Sequence, residues 1–190
     1  VQGQVTKTAA SETGLPEGIP ITYRAGDQPN NALSLNILKE GEVAATGGTS
    51  GVIYAVTNTT ISKEVSRINN FAHVNYDTVN KSIGKLLCIN GAGIMYRWLR
   101  NQSGGDSYEV MNRQAAKIPI GSEGLSIIPF GNGAERMLNN KNIGTQFCNI
   151  NLNKHSKGHL YRAALEGIAF SFVYGMEILK NDHALINVIR

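Results

Sequence analysis

The sequence predicts an α/β domain in which helices cover a mixed sheet. Short runs of β-branched and aromatic residues alternate with longer segments that carry apolar residues at helical spacing. The chain has 21 glycines but only 5 prolines, which is typical of many tight turns between strands and helices. Strands and helices mixed in this order favour a sheet flanked by helices.

In the first half of the chain, alternation of apolar and polar residues marks strands, and apolar residues three or four apart mark helices. These patterns predict a turn at 14–18, a strand at 19–24 ending at Gly26, a helix at 28–38, antiparallel strands at 42–46 and 52–57 around a glycine-rich turn, a loop at 69–76 leading into a strand, and a strand at 86–89.

In the second half, capping residues and glycines mark the element boundaries. They predict a helix that opens at Gly91 to Gly93 and runs through Leu99, a second helix capped by Asp106 and ending near 117, an apolar strand at 124–130 with a turn after it, and a long amphipathic helix at 156–180.

Composition limits the class of protein. With 42% hydrophobic residues, the 190-residue chain can bury a proper core. It has no run of about 18 apolar residues and no signal peptide at its start, so no membrane association is expected. The net charge of +4 is spread without a basic stripe, so nucleic-acid binding is not expected either. Cys88 and Cys148 are expected to be reduced, which favours a cytoplasmic location.

Two stretches carry residues suited to chemistry on phosphate. The first, residues 24–31, follows a predicted strand and holds Asp27, whose carboxylate is ionised at neutral pH and can take the proton of an attacking hydroxyl. The second, residues 46–51, is rich in glycine, which lets the backbone approach an anion, and the hydroxyls of Thr49 and Ser50 can donate to phosphate oxygens. Together, they predict phosphoryl transfer to an alcohol.

Each stretch also has a plain structural interpretation. Asp27, with Pro29 in the next helical turn, is typical of an N-cap, and residues 47–51 are typical of a hairpin loop. Gly91 and Gly93 open a predicted helix, so they either approach a phosphate or allow a close contact between helix and strand.

Other residues carry weaker signals. The four histidines show no metal-ligand spacing and are expected at the surface or the edge of the core. Trp98 is expected in the core, and Glu166 is expected to be solvated or paired with a neighbour.

Read in order, five segments resemble the carboxy-terminal domain of the FGGY carbohydrate kinases, especially the xylulose kinases. The segments are residues 14–20, 25–28, 48–52, 90–99 and 162–170. The resemblance implies a ribonuclease-H-like ATPase fold of the actin and hexokinase type. It implies that residues 1–190 are one domain, most of the carboxy-terminal half of the enzyme. The start without Met and the apolar end also suggest a fragment, and the amino-terminal domain and the final adenine-binding segment are expected elsewhere in the full-length protein.

The resemblance implies ATP-dependent phosphorylation of a sugar hydroxyl, with D-xylulose as the first substrate and ATP and Mg²⁺ as cofactors. The alternatives are a kinase for another polyol or ketose, such as glycerol, ribulose or gluconate, and a non-catalytic actin-like nucleotide-binding module. A hydrolase of phosphoanhydrides is a third. The isolated fragment is expected to be inactive, and the resemblance allows a homodimer of the full-length protein.

By matching position, Asp27 would be the catalytic base and would bind the sugar together with Gln28. The residues that would bind nucleotide are Gly48, Thr49, Ser50, Gly91 and Gly93. No metal ligand is predicted. Gln28 stands where many xylulose kinases carry Asn, so the sugar stays open, and residues 133–136 resemble the family's Gly-Glu-Arg turn with an insertion, so Arg136 receives no role.

Overall fold

The computed structural model describes residues 2–22 and 26–190 as short and long helices around one main sheet. The helices are α1 (Lys7–Thr13), α2 (Asp27–Ser34), α3 (Gly93–Gln102), α4 (Tyr108–Ala116) and α5 (Lys157–Asn181). The strands are β1 (Gly3–Gln4), β2 (Pro20–Ile21), β3 (Glu42–Gly47), β4 (Gly51–Thr57), β5 (Ile68–Ala72), β6 (Ile83–Ile89), β7 (Ser126–Ile128), β8 (Gln146–Cys148) and β9 (Val188–Ile189). None of the described helices is both long and apolar enough to cross a membrane.

The main sheet has five strands in the order β5-β6-β4-β3-β9. β3, β4, β6 and β5 pair antiparallel in that order, whereas β9 pairs parallel with β3. The sheet is therefore mixed, as the sequence predicts. All seven residues of the central strand β4 are buried.

Both faces of the sheet are covered by buried apolar side chains. Because successive strand residues point to opposite sides, each strand contributes to both layers. The cluster beneath α5 comprises Val43, Ile53, Ala55, Ile68, Leu87, Ile89, Phe130, Met137, Ile178, Leu179 and Ala184. The cluster on the α2 side comprises Ala32, Ile37, Ala44, Val52, Tyr54, Val56 and Leu86. A third cluster joins α3, α4 and α5 and includes Met95, Leu99, Met111, Leu125, Tyr161 and Ala164.

The predicted β3–β4 hairpin and the predicted helices α3 and α5 are confirmed. The strands around the glycine-rich turn lie where the alternation places them, and α3 begins at Gly93. α5 begins after Ser156, whose side chain forms a reciprocal capping box with His159. Glu166 in this helix is paired, as expected, with Arg162 at 2.6 Å. Both cysteines are free thiols.

Two helix boundaries differ from the prediction. The helix predicted at 28–38 ends at Ser34, because Asn36 takes a left-handed φ of 55° and Ile37 N–H donates back to the carbonyl of Ala32 at 3.0 Å. The cap of α4 is Ser107 rather than Asp106. The carboxylate of Asp106 instead accepts a 3.0 Å hydrogen bond from the hydroxyl of Tyr161.

The strand predictions differ at three places. Residues 69–72 of the predicted loop belong to β5, an edge strand paired with β6. The apolar run at 124–130 is strand only over β7, and the strand predicted at 19–24 is limited to β2 among the described residues. Tyr23, Arg24 and Ala25, which belong to the predicted strand and to the turn before Asp27, lie outside the described residues.

Side-chain burial also departs from two expectations. Trp98 is not in the core; it is 48% exposed and lies beside Phe147 at 6.2 Å between ring centroids. His73 and His159 are buried rather than at the surface or core edge. Their burial is tolerated because both ring nitrogens of each have hydrogen-bond partners.

A buried ion pair connects β6 to the end of α5. Lys85 Nζ lies 2.6 Å from Asp182 Oδ2, and neither side chain is accessible to solvent. The Asp182 carboxylate also accepts from the hydroxyl of Ser62 at 2.8 Å, and Lys85 donates to the carbonyl of Ile61 at 2.8 Å. Burial opposes the charged carboxylate, but these hydrogen bonds outweigh it and hold the pKa of Asp182 below its usual value.

Replacing Asp182 with Ala should strongly destabilise the domain, because Lys85 would be left as a buried charge without its partner. Breaking such a pair from one side costs about 3–5 kcal/mol. Urea unfolding of the Asp182→Ala variant measures the loss. Glu109→Ala is the matched control, because it removes an exposed ion pair with Arg113 and should leave the free energy of unfolding nearly unchanged. Equal effects of the two substitutions would contradict the assigned importance of the pair.

His73 makes the stability depend on pH. Its Nε2 lies 2.8 Å from the carbonyl of Ile37, which can only accept, so Nε2 carries the proton and Nδ1 accepts from the hydroxyl of Tyr54 at 3.0 Å. Burial lowers the pKa of His73, and the bond to Ile37 only partly offsets this. The folded protein therefore holds the ring neutral at a pH where the unfolded chain protonates it.

The contribution of His73 to stability should be fully present above about pH 6.5 and should decline as the pH falls below that value. Free energies of unfolding measured at about pH 7.5 and 5.5 for the wild type and for a His73→Gln variant isolate this residue, because the other histidines are common to both. The wild type should lose more stability than the variant on acidification. An identical loss in both would refute the assignment.

Candidate functional site

Two turns of the chain and the start of α2 lie at one end of the main sheet. In the register of the strands, Gly47 pairs with Gly51 across the β3–β4 turn, and Gly51 pairs with Ile89 at the end of β6. The β3–β4 turn and the turn from β6 into α3 are therefore at the same edge. The start of α2 lies close by on one face of the sheet.

The β3–β4 turn is seated on the first turn of α3. Gly93 N–H donates to the carbonyl of Gly48 at 3.0 Å, and Ile94 N–H donates to the carbonyl of Thr49 at 3.0 Å. A Cβ on Gly93 would lie 2.2 Å from the carbonyl oxygen of Gly48. Only glycine therefore permits this approach, and two backbone donors at the start of α3 are satisfied by the turn.

α2 is attached to the strand that leads into the same turn. Asn31 Nδ2 donates to Thr46 Oγ1 at 2.9 Å, and Ala32 packs in the apolar cluster on this face of the sheet. Burial raises the pKa of the Cys88 thiol, and the negative charges of Glu135 and Asp27 add to the increase while Arg136 opposes it. Since Cys88 pairs with Val52 at the start of β4, the structure brings Asp27 to the end of the sheet that carries the glycine turn.

Asp27 is the first residue of α2, and the cap is Gly26. The interpretation of Asp27 as the N-cap is therefore wrong. Its carboxylate accepts from the Gln28 N–H at 2.9 Å and from Gln28 Nε2 at 3.3 Å, and both bonds are exposed. A carboxylate has about four acceptor positions, so the exposed oxygens of Asp27 keep capacity for a further donor.

A cavity of about 290 Å³ opens beside the seated turn. It is lined by Gly47, Gly48, Thr49, Gly93, Tyr96, Arg97 and Tyr108. Burial, together with the neighbouring Tyr161 and Tyr108, raises the pKa of Tyr96 to about 12, so its hydroxyl stays protonated and donates to Asn112 Oδ1 at 2.8 Å. The guanidinium of Arg97 brings positive charge to the cavity wall.

Sequence reasoning did not single out Arg97. The signal was present, because Arg97 follows Gly93 by four residues and positions four apart share one face of a helix. The predicted start of α3 at Gly93 would have placed Arg97 beside the glycine turn. The Arg97 side chain is exposed.

The predicted nucleotide-binding residues differ in whether their N–H groups already donate a hydrogen bond within the protein. The N–H of Gly48 donates to the carbonyl of Ser50 at 2.9 Å, and the N–H of Gly91 donates to Glu135 at 3.1 Å. Within residues 2–22 and 26–190, the N–H and hydroxyl groups of Thr49 and Ser50 have no hydrogen-bond partner. These exposed donors are therefore the ones available to an anion.

Gly91 is packed against another loop. A Cβ on Gly91 would lie 2.4 Å from the carbonyl oxygen of Pro129 and 2.6 Å from Phe130 Cα. Close backbone approach thus explains the glycine in this position. A role for Gly91 or Gly93 in nucleotide binding stays a prediction.

In the described part of the chain, no group of three or more His, Cys, Asp or Glu side chains is arranged to hold a metal ion. Mg²⁺ commonly keeps several waters and is bound through one or two carboxylates and substrate phosphates rather than by a protein cage. The binding of Mg²⁺ therefore stays a prediction.

Comparison with known proteins gives a consistent family and fold. Residues 43–190 match the carboxy-terminal domain of the FGGY family of carbohydrate kinases. The gluconokinase of Bacillus subtilis (strain 168) is 31% identical over 173 residues, 85% of this chain and 33% of that protein. The xylulose kinase of Haemophilus influenzae is 26% identical over 188 residues, 99% of this chain and 37% of that protein.

Among solved structures, the xylulose kinase from Rhodospirillum rubrum aligns with a TM-score of 0.87 and 28% identity over 99% of this chain and 37% of that chain. The predicted actin/hexokinase-type ATPase fold is confirmed by this likeness and by that to the glycerol kinase of Plasmodium falciparum, which has a TM-score of 0.77. The chain spans about a third of the length of the relatives it matches.

A Gly93→Ala substitution should separate the β3–β4 turn from α3, because the added methyl group would overlap the carbonyl oxygen of Gly48. Overpacking of this kind costs about 1–3 kcal/mol, which thermal or urea unfolding would detect. Gly47→Ala is the control, since a Cβ there meets no atom within 4 Å. Equal losses of stability in the two variants would contradict the importance of the contact between Gly93 and Gly48.

Proposed function

Because this chain belongs to the FGGY family of carbohydrate kinases, we propose that the full-length protein transfers a phosphoryl group from ATP to a sugar hydroxyl, with D-xylulose as the first substrate. The observation that carries the proposal is the placement of an exposed carboxylate, Asp27, at the end of the sheet where the glycine turn is seated on α3. The Asp27 carboxylate can accept a proton there, and the glycine turn can donate hydrogen bonds to phosphate.

Asp27 is the general base in this proposal. The attacking hydroxyl must lose its proton as its oxygen bonds to phosphorus, and an exposed carboxylate held at the start of a helix can take that proton. The Gln28 amide, which already donates to Asp27 at 3.3 Å, keeps the carboxylate oriented and lies beside the sugar. The proton moves from the sugar hydroxyl to an Asp27 oxygen as the phosphoryl group leaves ATP.

Thr49, Ser50 and Arg97 bind the phosphoryl group while it passes from ATP to the sugar hydroxyl. The transition state of phosphoryl transfer is largely loose, so catalysis relies on positioning and on stabilising charge on the equatorial oxygens. The N–H and hydroxyl donors of Thr49 and Ser50 and the guanidinium of Arg97 supply both. Mg²⁺, bound with ATP, would neutralise part of the phosphate charge.

The rest of the active site would come from other parts of the full-length protein. Residues 1–190 correspond to about a third of the matched kinases, and we assign them to most of the carboxy-terminal domain. The amino-terminal domain and an adenine-binding segment would complete the cleft, and the chain on its own would not turn over sugar.

Gluconate is the second candidate substrate, favoured by the 31% identity to a gluconokinase. A panel of ketoses, polyols and aldonic acids, each assayed for ATP consumption with the full-length protein, separates the candidates. Consumption that does not depend on any sugar would indicate a phosphoanhydride hydrolase, and ATP binding without turnover would indicate a non-catalytic module.

An Asp27→Asn substitution in the full-length protein should lower kcat by about 10²–10⁴-fold, because the amide cannot accept the proton. ATP binding, measured by calorimetry, should change little. Asp77→Asn is the control: Asp77 is also exposed and accepts local backbone N–H groups from Val79 and Asn80, and its loss should leave kcat near the wild-type value. A kcat within about tenfold of wild type for Asp27→Asn would remove the base role.

A further inference from the structure

Glu135 lies beneath the turn from β6 into α3 and is 1% exposed. Its Oε2 accepts two hydrogen bonds from consecutive backbone groups, the N–H of Asn90 at 2.8 Å and the N–H of Gly91 at 3.1 Å. Hydrogen bonds to an ionised acceptor are roughly twice as strong as neutral ones. One carboxylate thereby fixes the orientation of two successive peptide groups.

The loop that carries Glu135 makes further contacts with the same turn. Asn90 Nδ2 donates to the carbonyl of Ala134 at 2.6 Å, and Asn132 Nδ2 donates to the carbonyl of Asn90 at 3.2 Å. The backbone of Glu135 is itself held by a bridge to Lys141, whose carbonyl accepts the Glu135 N–H at 3.0 Å. The backbone bridge to Lys141 therefore helps to hold the Glu135 carboxylate in place beneath the turn.

The turn above Glu135 controls the position of the phosphate donors. Two residues after Gly91, Gly93 donates to the carbonyl of Gly48 and so seats the β3–β4 turn that presents Thr49 and Ser50. A shift of the Asn90–Gly91 peptides would move the start of α3 and with it those donors. The carboxylate also accepts from the Gly91 N–H, whereas the Thr49 and Ser50 donors are exposed.

We propose that Glu135 is a positioning residue of the phosphate site, which acts on bound ATP through the Asn90–Gly91 turn and touches neither substrate. The inference rests on the proposed kinase function. It assigns a role to the glutamate of the Gly-Ala-Glu-Arg segment at residues 133–136. The role predicts a selective effect on the nucleotide, because Asp27 and Gln28 sit on α2, with which Glu135 forms no hydrogen bond among the described residues.

The test is a Glu135→Gln substitution in the full-length protein. A glutamine oxygen in the position of Oε2 can still accept from both N–H groups, but it is uncharged and holds them more weakly. Its NH₂ group, in the position of Oε1, cannot accept from the Met137 N–H, which lies 3.4 Å from that oxygen. The KM for ATP should rise by about 10- to 100-fold, while the KM for the sugar should stay within about twofold. Glu135→Asp, which keeps the charge on a shorter side chain, should fall between wild type and Glu135→Gln.

Glu166→Gln is the matched control, because the Glu166 carboxylate also accepts from a loop amide, the N–H of Gly121 at 2.9 Å, but lies in α5. It should reduce thermal stability without changing the KM for ATP. The inference is overturned if Glu135→Gln lowers only the melting temperature, raises both KM values alike, or matches Glu166→Gln in the KM for ATP.

If Glu135→Gln does not fold, Glu135→Asp decides: a raised KM for ATP with a near-native melting temperature supports the role, and an unchanged KM overturns it. Failure of the proposed function itself is recognised separately. In that case the wild type would phosphorylate no sugar of the panel, and the dissociation constant for ATP, measured by calorimetry on the same variants, would replace the KM in the same comparison.

Discussion

The candidate site depends on the contact between two backbone segments, in which the first N–H groups of α3 donate to the carbonyls of Gly48 and Thr49. The helix end thereby gains partners for donors that would otherwise be unsatisfied. The turn gains a fixed orientation, with its hydroxyl-bearing residues facing solvent. Because Gly93 has no Cβ, the two segments can approach closely enough for both effects.

Sheet register extends this constraint to the rest of the site. β4 is central and entirely buried, so its pairing with β3 and β6 is specified by which residues face each layer, and a slip of one residue would exchange the residues that pack in the two layers. The same register places the β3–β4 turn beside the end of β6. The bond from Asn31 to Thr46 then brings the start of α2 to that end. The start of α2, the β3–β4 turn and the end of β6 are therefore brought together by strand pairing and by this side-chain bond.

Local patterns were sufficient for the elements that depend on nearby residues. The β3–β4 hairpin, the start of α3 at Gly93 and the whole of α5 follow from turn residues and apolar spacing. β5 was missed because its sequence contains Asn69 and Asn70, and its strand conformation depends on pairing with β6. The contacts of Glu135 could not be predicted from local sequence either, because the N–H groups that it binds lie 44 and 45 residues earlier in the chain.

The Lys85–Asp182 pair has a consequence for how this domain is made. The partners are 97 residues apart, and at a synthesis rate of about 5–20 residues per second the carboxylate emerges roughly 5–20 s after the amine. During that interval, β6 cannot bury Lys85 without leaving an ammonium group unpaired, which is unfavourable. Full burial of Lys85 is therefore favoured only once the end of α5 has been made, and before that time the nascent chain gains stability by keeping this part of β6 in contact with water.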